Sequence, residues 1–154
     1  ATDKVNWACL EKSHGVFVTA TDSEALKFCR RASVLATTPR VGLSTLQAAD
    51  IQIDAVIASA LDPDEQMPQK ALKKDPSLKI STEGINGGEA LPGGHYEAFK
   101  LNAPSIDSYG CGDSFAAGVT VGLAAGWNID QAISIGSYCG ARCSTFPGPY
   151  SLQN

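Results

Sequence analysis

A glycine-rich turn that ends in an acidic residue is the part of this sequence best suited to chemistry. Residues 107–113 read DSYGCGD and lead into a segment with helix-forming residues. Glycines let a backbone approach a ligand closely, and the free N–H groups and dipole of a helix start attract anions. The turn around Gly110 and Gly112 is therefore a candidate phosphate-binding loop.

Asp113 follows the two glycines, and two interpretations of its carboxylate are open. A carboxylate at a phosphate site would disfavour the bound anion unless it had a task of its own, such as accepting a proton from an attacking hydroxyl. Alternatively, Asp113 is a helix N-cap, a position that favours Asp strongly. Taken alone, this stretch favours the cap.

Composition limits what the remaining chain can do. The 154 residues are 44% hydrophobic with a net charge of −4, which predicts one globular domain spanning residues 1–154 and argues against nucleic acid as a partner. No apolar run approaches the roughly 20 residues of a membrane-spanning helix, so no membrane association is expected. The five cysteines include no close CxxC pair, which favours a reducing cytoplasm. The chain starts ATD without methionine, so we expect a fragment or a processed chain.

The elements that position the turn follow an alternating pattern. Short β-rich runs alternate with helical stretches, which predicts an α/β fold whose largely parallel sheet is covered by helices on both faces. The predicted strands are residues 15–20, 33–37, 53–59 and 78–82, and the predicted helices are residues 24–31, 44–49 and 63–74. Asp22 or Ser23 is expected to cap the first helix, and Ser44 or Thr45 the second.

The pattern changes past Gly84. Glycine and proline turns bracket two short segments, residues 89–91 and 95–101, which predicts an antiparallel ribbon that ends the parallel layer. Two helices are expected after the glycine-rich turn, at residues 113–125 and 129–143. The first is rich in small residues, which permits close packing against a ligand or a neighbouring helix.

Three motifs in this order resemble the signature of ribokinase-like (PfkB) carbohydrate kinases. DSYGCGDSFAAG, which starts at Asp107, is similar to the family pattern D-T-x-G-A-G-D-x-F-x-x-G. The segment TEG at residues 82–84, followed by Gly87, resembles the family's T-x-G segment, and LDPDE at residues 61–65 resembles its N-x-x-E motif. The resemblance implies the carboxy-terminal half of a ribokinase-like fold, with the amino-terminal half and its β-lid absent.

The resemblance also implies an activity, the ATP-dependent phosphorylation of a sugar hydroxyl. Asp113 would be the catalytic base, and the backbone N–H groups of Gly110, Cys111 and Gly112 would form an anion hole for the γ-phosphate. Thr82, Gly84 and Gly87 would lie at the nucleotide phosphates. No residue of this chain is implied in sugar binding, because the family's sugar-binding residues lie in the other half.

The implied metal ligands depart from the family pattern in one place. Glu65 would hold Mg²⁺ through water, and Asp62, which replaces the family's usual Asn, adds negative charge near the metal or simply caps the helix that follows. Asp107 would help bind a monovalent cation such as K⁺, or it is a turn residue.

Several alternatives are open at this point. Cys111, at a helix start, could have a lowered thiol pKa and be a nucleophile or redox switch, whereas small-residue packing is the simpler interpretation. Cys139, Cys143 and the two tryptophans are interpreted as packing residues, and the tail at residues 144–151 as an exit loop or part of the adenine site. The protein could instead be a non-catalytic nucleotide-binding or regulatory protein, or a nucleoside or vitamin kinase. We expect it to need its amino-terminal half, and a homodimer is also compatible with the sequence.

Overall fold

The computed structural model describes residues 6–68 and 70–148. Six strands and four α-helices form the fold, joined by short 3₁₀ turns. The strands are β1 (Gly15–Val18), β2 (Val34–Thr37), β3 (Ala55–Ser59), β4 (Leu78–Thr82), β5 (Gly88–Leu91) and β6 (Gly94–Tyr96). The helices are α1 (Ser23–Cys29), α2 (Leu43–Ala49), α3 (Cys111–Ala124) and α4 (Ile129–Cys143).

The strands form one sheet in the order β1-β2-β3-β4-β5-β6. Strands β1 to β4 are parallel, and β5 and β6 continue the sheet as an antiparallel ribbon. Ser59 pairs with Thr82 at the carboxyl ends of β3 and β4. The predicted α/β class, with a largely parallel sheet and a short ribbon, is confirmed, although the ribbon's second strand ends at Tyr96 rather than at residue 101.

Side chains alternate between the two faces of the sheet, so each face has its own core. On one face, Ala55 and Ile57 of β3 pack under Phe115 and Val119 of α3. On the other face, residues including Leu26 of α1 and Leu46 of α2 cover the sheet. Each of these named core side chains is at most 6% exposed.

Helix α3 runs opposite to the parallel strands. A side chain at Gly15, where β1 begins, would meet Ala124 and Thr120 near the end of α3 at 2.8 and 3.2 Å. A helix of this length spans about 20 Å, so its start lies toward the carboxyl ends of the strands. Helix α4 returns antiparallel to α3, with Gly118 against Gly136 and Gly122 against Ala132. The stripe of small residues therefore serves close helix–helix packing.

Helix starts show which of the predicted caps form. Asp22 caps α1 by accepting a hydrogen bond from the Ala25 N–H at 2.8 Å. Asn128 and Gln131 form a reciprocal capping box at the start of α4. The prediction of Ser44 or Thr45 as a cap for α2 is wrong, because the helix begins at Leu43 and its N-cap is Gly42.

The helix predicted for residues 63–74 is also wrong. Only the 3₁₀ turn Pro63–Glu65 forms, and residues 66–68 are irregular. Pro68 lacks the N–H that an interior helical position needs, and Lys70 has φ +58°, which lies in the left-handed region. Gln69 lies outside the described residues. In the described part of the chain, no helix is long and apolar enough to cross a membrane.

Candidate functional site

The sequence-predicted site segments lie at one edge of the sheet. The carboxyl ends of β3 and β4 lead directly into residues 60–65 and 83–86, and the Ala60 N–H donates to the Thr82 carbonyl at 2.9 Å. The start of α3 lies toward the same edge because that helix runs opposite to the strands. The fold thus brings the three motifs to the carboxyl ends of the parallel strands, where open α/β sheets bind their ligands.

The glycine-rich turn has the geometry of an anion-binding loop. Gly110 is the N-cap of α3 with φ +81°, a conformation that favours glycine. The N–H groups of Gly110, Gly112 and Asp113 have no hydrogen-bond acceptor within the described residues, whereas the Cys111 N–H donates to the Ser108 carbonyl at 3.2 Å. A Cβ at Gly112 would meet no atom within 4 Å. The space on the Cβ side of Gly112 is therefore open.

This arrangement revises the donor set that the sequence indicated. The Cys111 N–H closes the turn and is not free, so it is the weakest of the three predicted donors. The N–H of Asp113 is unpaired in the described structure and was not foreseen from the sequence. The sequence could have predicted this free donor, because Asp113 lies in the first helical turn, where N–H groups lack intrahelical partners.

Asp113 does not cap the helix. The N-cap position belongs to Gly110, and no side chain caps α3. Asp113 is exposed in the first turn, and among the described residues its carboxylate has no hydrogen bond or ion pair. The cap interpretation is therefore wrong, and the carboxylate is available to a ligand.

Asp107 ties the loop to the chain after α4. Its Oδ1 accepts from the Tyr109 N–H at 2.9 Å, and its Oδ2 accepts from the Gly148 N–H at 3.0 Å. The Ile106 N–H also donates to the Ser144 carbonyl at 2.7 Å. Asp107 is therefore a turn residue that holds two segments together, whether or not a cation also binds there. Residues 149–151 of the predicted adenine-closing tail lie outside the described residues.

The thiol of Cys111 is not activated. Burial, followed by the neighbouring Cys143 and the charge of Asp107, raises the pKa of Cys111 to about 11. Its Sγ donates to the Asp107 carbonyl at 3.7 Å. The sequence-based alternative of a lowered pKa at a helix start is wrong, because burial and neighbouring groups outweigh the helix dipole.

We expect Cys111 to react slowly with alkylating agents. A pKa about two units above that of an ordinary thiol leaves roughly 100-fold less thiolate at pH 8. Mass spectrometry after brief iodoacetamide treatment should find Cys111 unmodified and exposed Cys9 modified. Rapid modification of Cys111 in the folded protein would contradict this picture.

Thr82 and Gly84 belong to the segment that is predicted to lie at the nucleotide phosphates. Thr82 ends β4, and its hydroxyl donates to the Ala58 carbonyl at 3.4 Å. Gly84 has φ +62° and starts a 3₁₀ turn, Gly84–Asn86. The N–H groups of Gly84 and Ile85 have no acceptor among the described residues. This turn therefore offers two more free backbone donors at the same edge.

Gly87 has a structural reason to be glycine. Its φ is +83°, and a Cβ would lie 1.9 Å from the Tyr96 carbonyl oxygen and 2.9 Å from the Ala98 nitrogen. The contacts are with backbone, which cannot move aside as a flexible side chain would. The close approach of β6 and the segment after it therefore accounts for this glycine without a nucleotide.

Asp62 and Glu65 meet at a shared arginine that the sequence analysis missed. The Arg40 Nε donates to Glu65 Oε1, and the Arg40 Nη2 donates to Asp62 Oδ2 at 2.7 Å. Glu65 is 9% exposed, and its Oε2 accepts from the Ser59 N–H at 2.6 Å. The hydrogen bond to Glu65 and the charges of both acids raise the pKa of Arg40. The sequence did contain a signal for this pairing. Arg40 follows β2, and the two acids follow β3, at the same edge of the sheet.

The donor chemistry of Asp62 and Glu65 fits a magnesium ion held through water. All four carboxylate oxygens already accept one hydrogen bond, the fourth being Asp62 Oδ1 from the Asp64 N–H. Asp62 thus also caps the 3₁₀ turn, as its alternative interpretation predicted. Within residues 6–68 and 70–148, no group of three or more His, Cys, Asp or Glu side chains could enclose a metal. Magnesium commonly uses one or two carboxylates plus substrate phosphates.

Comparisons with known proteins agree with the motifs. Residues 81–153 match the family model of the pfkB family carbohydrate kinases. Fructoselysine 6-kinase of Escherichia coli (strain K12) is 35% identical over 105 residues, which cover 64% of this chain and 39% of that protein. The chain spans between 25% and 39% of the length of the curated relatives it matches.

Solved structures share the fold at lower sequence identity. Ribokinase from Thermotoga maritima aligns over 95% of this chain and 55% of its own, with a TM-score of 0.75 and 18% identity. A putative ribokinase II from E. coli, solved in complex with ATP and Mg²⁺, aligns over 94% of this chain and 56% of its own, with a TM-score of 0.71 and 18% identity. The fold is therefore ribokinase-like, as the sequence predicted.

Proposed function

We propose that this chain is part of a pfkB-type carbohydrate kinase and that the protein transfers the γ-phosphate of ATP to a sugar hydroxyl. The match of residues 81–153 to the pfkB family model supports this proposal. The proposal is carried by the N–H groups and the carboxylate at the start of α3, which have no partner in the part of the chain that the structure describes. Free backbone donors and an unpartnered acid in one helical turn suit both halves of phosphoryl transfer, which are charge stabilisation and proton acceptance.

In this proposal, the N–H groups of Gly110, Gly112 and Asp113 stabilise the charge on the transferred phosphate. Because these donors are fixed by the turn and the helix, they need little reorganisation during the reaction. The carboxylate of Asp113 accepts the proton of the attacking hydroxyl. The exposed position of Asp113 leaves room for an acceptor substrate beside it.

The nucleotide phosphates would extend along the same edge toward Thr82 and Gly84. The free N–H groups of Gly84 and Ile85 support this direction. Asp62 and Glu65 would hold the magnesium ion through water, and the ion would neutralise the phosphate charge. Asp107 would shape the loop, and a monovalent cation such as K⁺ would bind beside it.

The sugar-binding part of the protein would be supplied by an amino-terminal segment. Strand β1 pairs only with β2, so within the described residues its other edge is unpaired. An unpaired edge strand is a template for another strand. An additional segment pairing there would extend the sheet and complete the site. A homodimer is a further assembly that the chain allows.

The test is acceptor-dependent ADP formation by the intact protein. ADP release from ATP and Mg²⁺ should require a sugar, and a panel of hexoses, pentoses, glycated amino acids and nucleosides would identify the acceptor. ADP release that no acceptor stimulates would contradict phosphate transfer to a sugar, and no turnover across the panel would favour a non-catalytic nucleotide-binding protein instead.

A further inference from the structure

Arg40 hydrogen-bonds to two acidic side chains that follow a different strand from the one that Arg40 follows. It lies in the 3₁₀ turn Pro39–Val41 after β2, whereas Asp62 and Glu65 follow β3. We propose that Arg40 is a positioning residue of the site: it fixes both carboxylates and offsets the charge that Asp62 adds. The proposal deepens the kinase function proposed above and rests on it for its catalytic consequence.

The burial of Glu65 shows why a cation is needed there. Its side chain is 10% exposed, and an ionised carboxylate at that depth requires compensation. Arg40 and the Ser59 N–H each take one of its oxygens. Arg40 itself is 60% exposed, so its bonds to the acids, rather than burial, determine where its guanidinium lies.

The geometry uses a property that lysine lacks. A guanidinium is planar, and its nitrogens can bind two acceptors at fixed angles, whereas an ammonium is a point charge on a flexible stem. In Arg40, Nε and Nη2 bind different carboxylates. Arg40 therefore links the two carboxylates to each other, while a backbone N–H holds the second oxygen of each one.

The net charge of this cluster also depends on Arg40. Asp62, Glu65 and Arg40 together carry a net charge of −1. Glu65 alone, with an uncharged residue at position 62 and no arginine, would carry the same charge. Asp62 with Arg40 is thus equivalent in charge to an uncharged residue. Without Arg40, the carboxylates would carry −2 and would attract a free divalent cation even in the absence of nucleotide.

The first measurement needs neither nucleotide nor sugar. Electron paramagnetic resonance with Mn²⁺ alone should show that Arg40→Gln binds the ion on the order of 10-fold more tightly than the unmodified protein. Arg31→Gln is the matched control, because Arg31 pairs with Glu11 on the surface at 2.8 Å, away from this edge. An Mn²⁺ affinity unchanged by Arg40→Gln would overturn the charge-balancing role.

The second measurement separates position from charge. Arg40→Lys keeps the positive charge but cannot bridge two carboxylates in the same way, so its Mn²⁺ affinity should stay near that of the unmodified protein. Its kcat should nevertheless fall about 10-fold or more, as expected for lost orientation of metal-holding groups, with a smaller change in KM for ATP. Full kcat in Arg40→Lys would overturn the positioning role.

The two measurements also distinguish this proposal from the kinase proposal. If the unmodified protein shows no acceptor-dependent turnover, the kinase function fails, while the Mn²⁺ result still decides whether Arg40 balances the two carboxylates. If turnover is normal and Arg40→Gln changes neither kcat nor Mn²⁺ binding, only the role of Arg40 fails. Circular dichroism of each variant confirms that the comparison is between folded proteins.

Discussion

Replacing Asp113 with Asn should lower kcat by at least about 100-fold, the effect expected when a general base is lost. Asn has nearly the same size and shape but cannot accept a proton from the substrate hydroxyl. Because the carboxylate has no partner among the described residues, the substitution breaks no internal bond and should leave the fold intact. Steady-state kinetics of the intact protein with its best acceptor would measure the effect.

Asp130→Asn provides the matched control for this variant. Asp130 is exposed in the first turn of α4, so its replacement also removes one negative charge from a first helical turn. Any loss of helix-dipole stabilisation should be similar in both variants, in the range of about 0.3–1 kcal/mol. A near-normal kcat in Asp113→Asn would show that another group accepts the proton.

Replacing Gly87 with Ala should lower the free energy of unfolding by more than about 3 kcal/mol, toward the severe end of single substitutions. The new Cβ would lie 1.9 Å from the Tyr96 carbonyl oxygen, and the residue has φ +83°. To relieve this clash, the ribbon of β5 and β6 would have to move away from the turn Gly84–Asn86. Urea unfolding of the intact protein, followed by circular dichroism, would measure the loss.

Gly94→Ala separates the two causes of this strain. Gly94 also has a positive φ, of +102°, but a Cβ there would meet nothing within 4 Å. Its replacement should therefore cost only the backbone penalty, about 1–2 kcal/mol. If Gly87→Ala were as stable as the unmodified protein but had a raised KM for ATP, its main role would be at the nucleotide rather than in the ribbon.

The fold could be predicted from the sequence where local signals were strong. Alternating apolar runs gave the four parallel strands, and helix α4 has the predicted bounds because Asn128 and Gln131 mark its start. The segment after Glu65 could not be predicted in the same way. Its polar composition is compatible with a helix, but two prolines and the positive φ of Lys70 favour an irregular path. Pro68 was a sequence signal against a helix, whereas the positive φ of Lys70 is visible only in the structure.

The site could be predicted in outline, because its motifs follow strands whose carboxyl ends must meet. The contacts between individual side chains in the site could not be predicted. The pairing of Arg40 with Asp62 and Glu65 joins residues 22 and 25 positions apart. The raised pKa of Cys111 comes first from burial and then from Cys143, which α4 brings beside it. The steric need for glycine at position 87 likewise depends on the Tyr96 carbonyl, which the sequence does not place beside it.

The most direct test of the central claim is to follow backbone amides as the nucleotide binds. In the ¹⁵N-labelled intact protein, Mg²⁺ and a non-hydrolysable ATP analogue should produce large ¹H–¹⁵N shifts at Gly110, Gly112 and Asp113, whose N–H groups have no acceptor among residues 6–68 and 70–148. The Cys111 amide, which donates to Ser108, should shift less. Large shifts elsewhere with none at the start of α3 would contradict the assignment of this loop as the phosphate site.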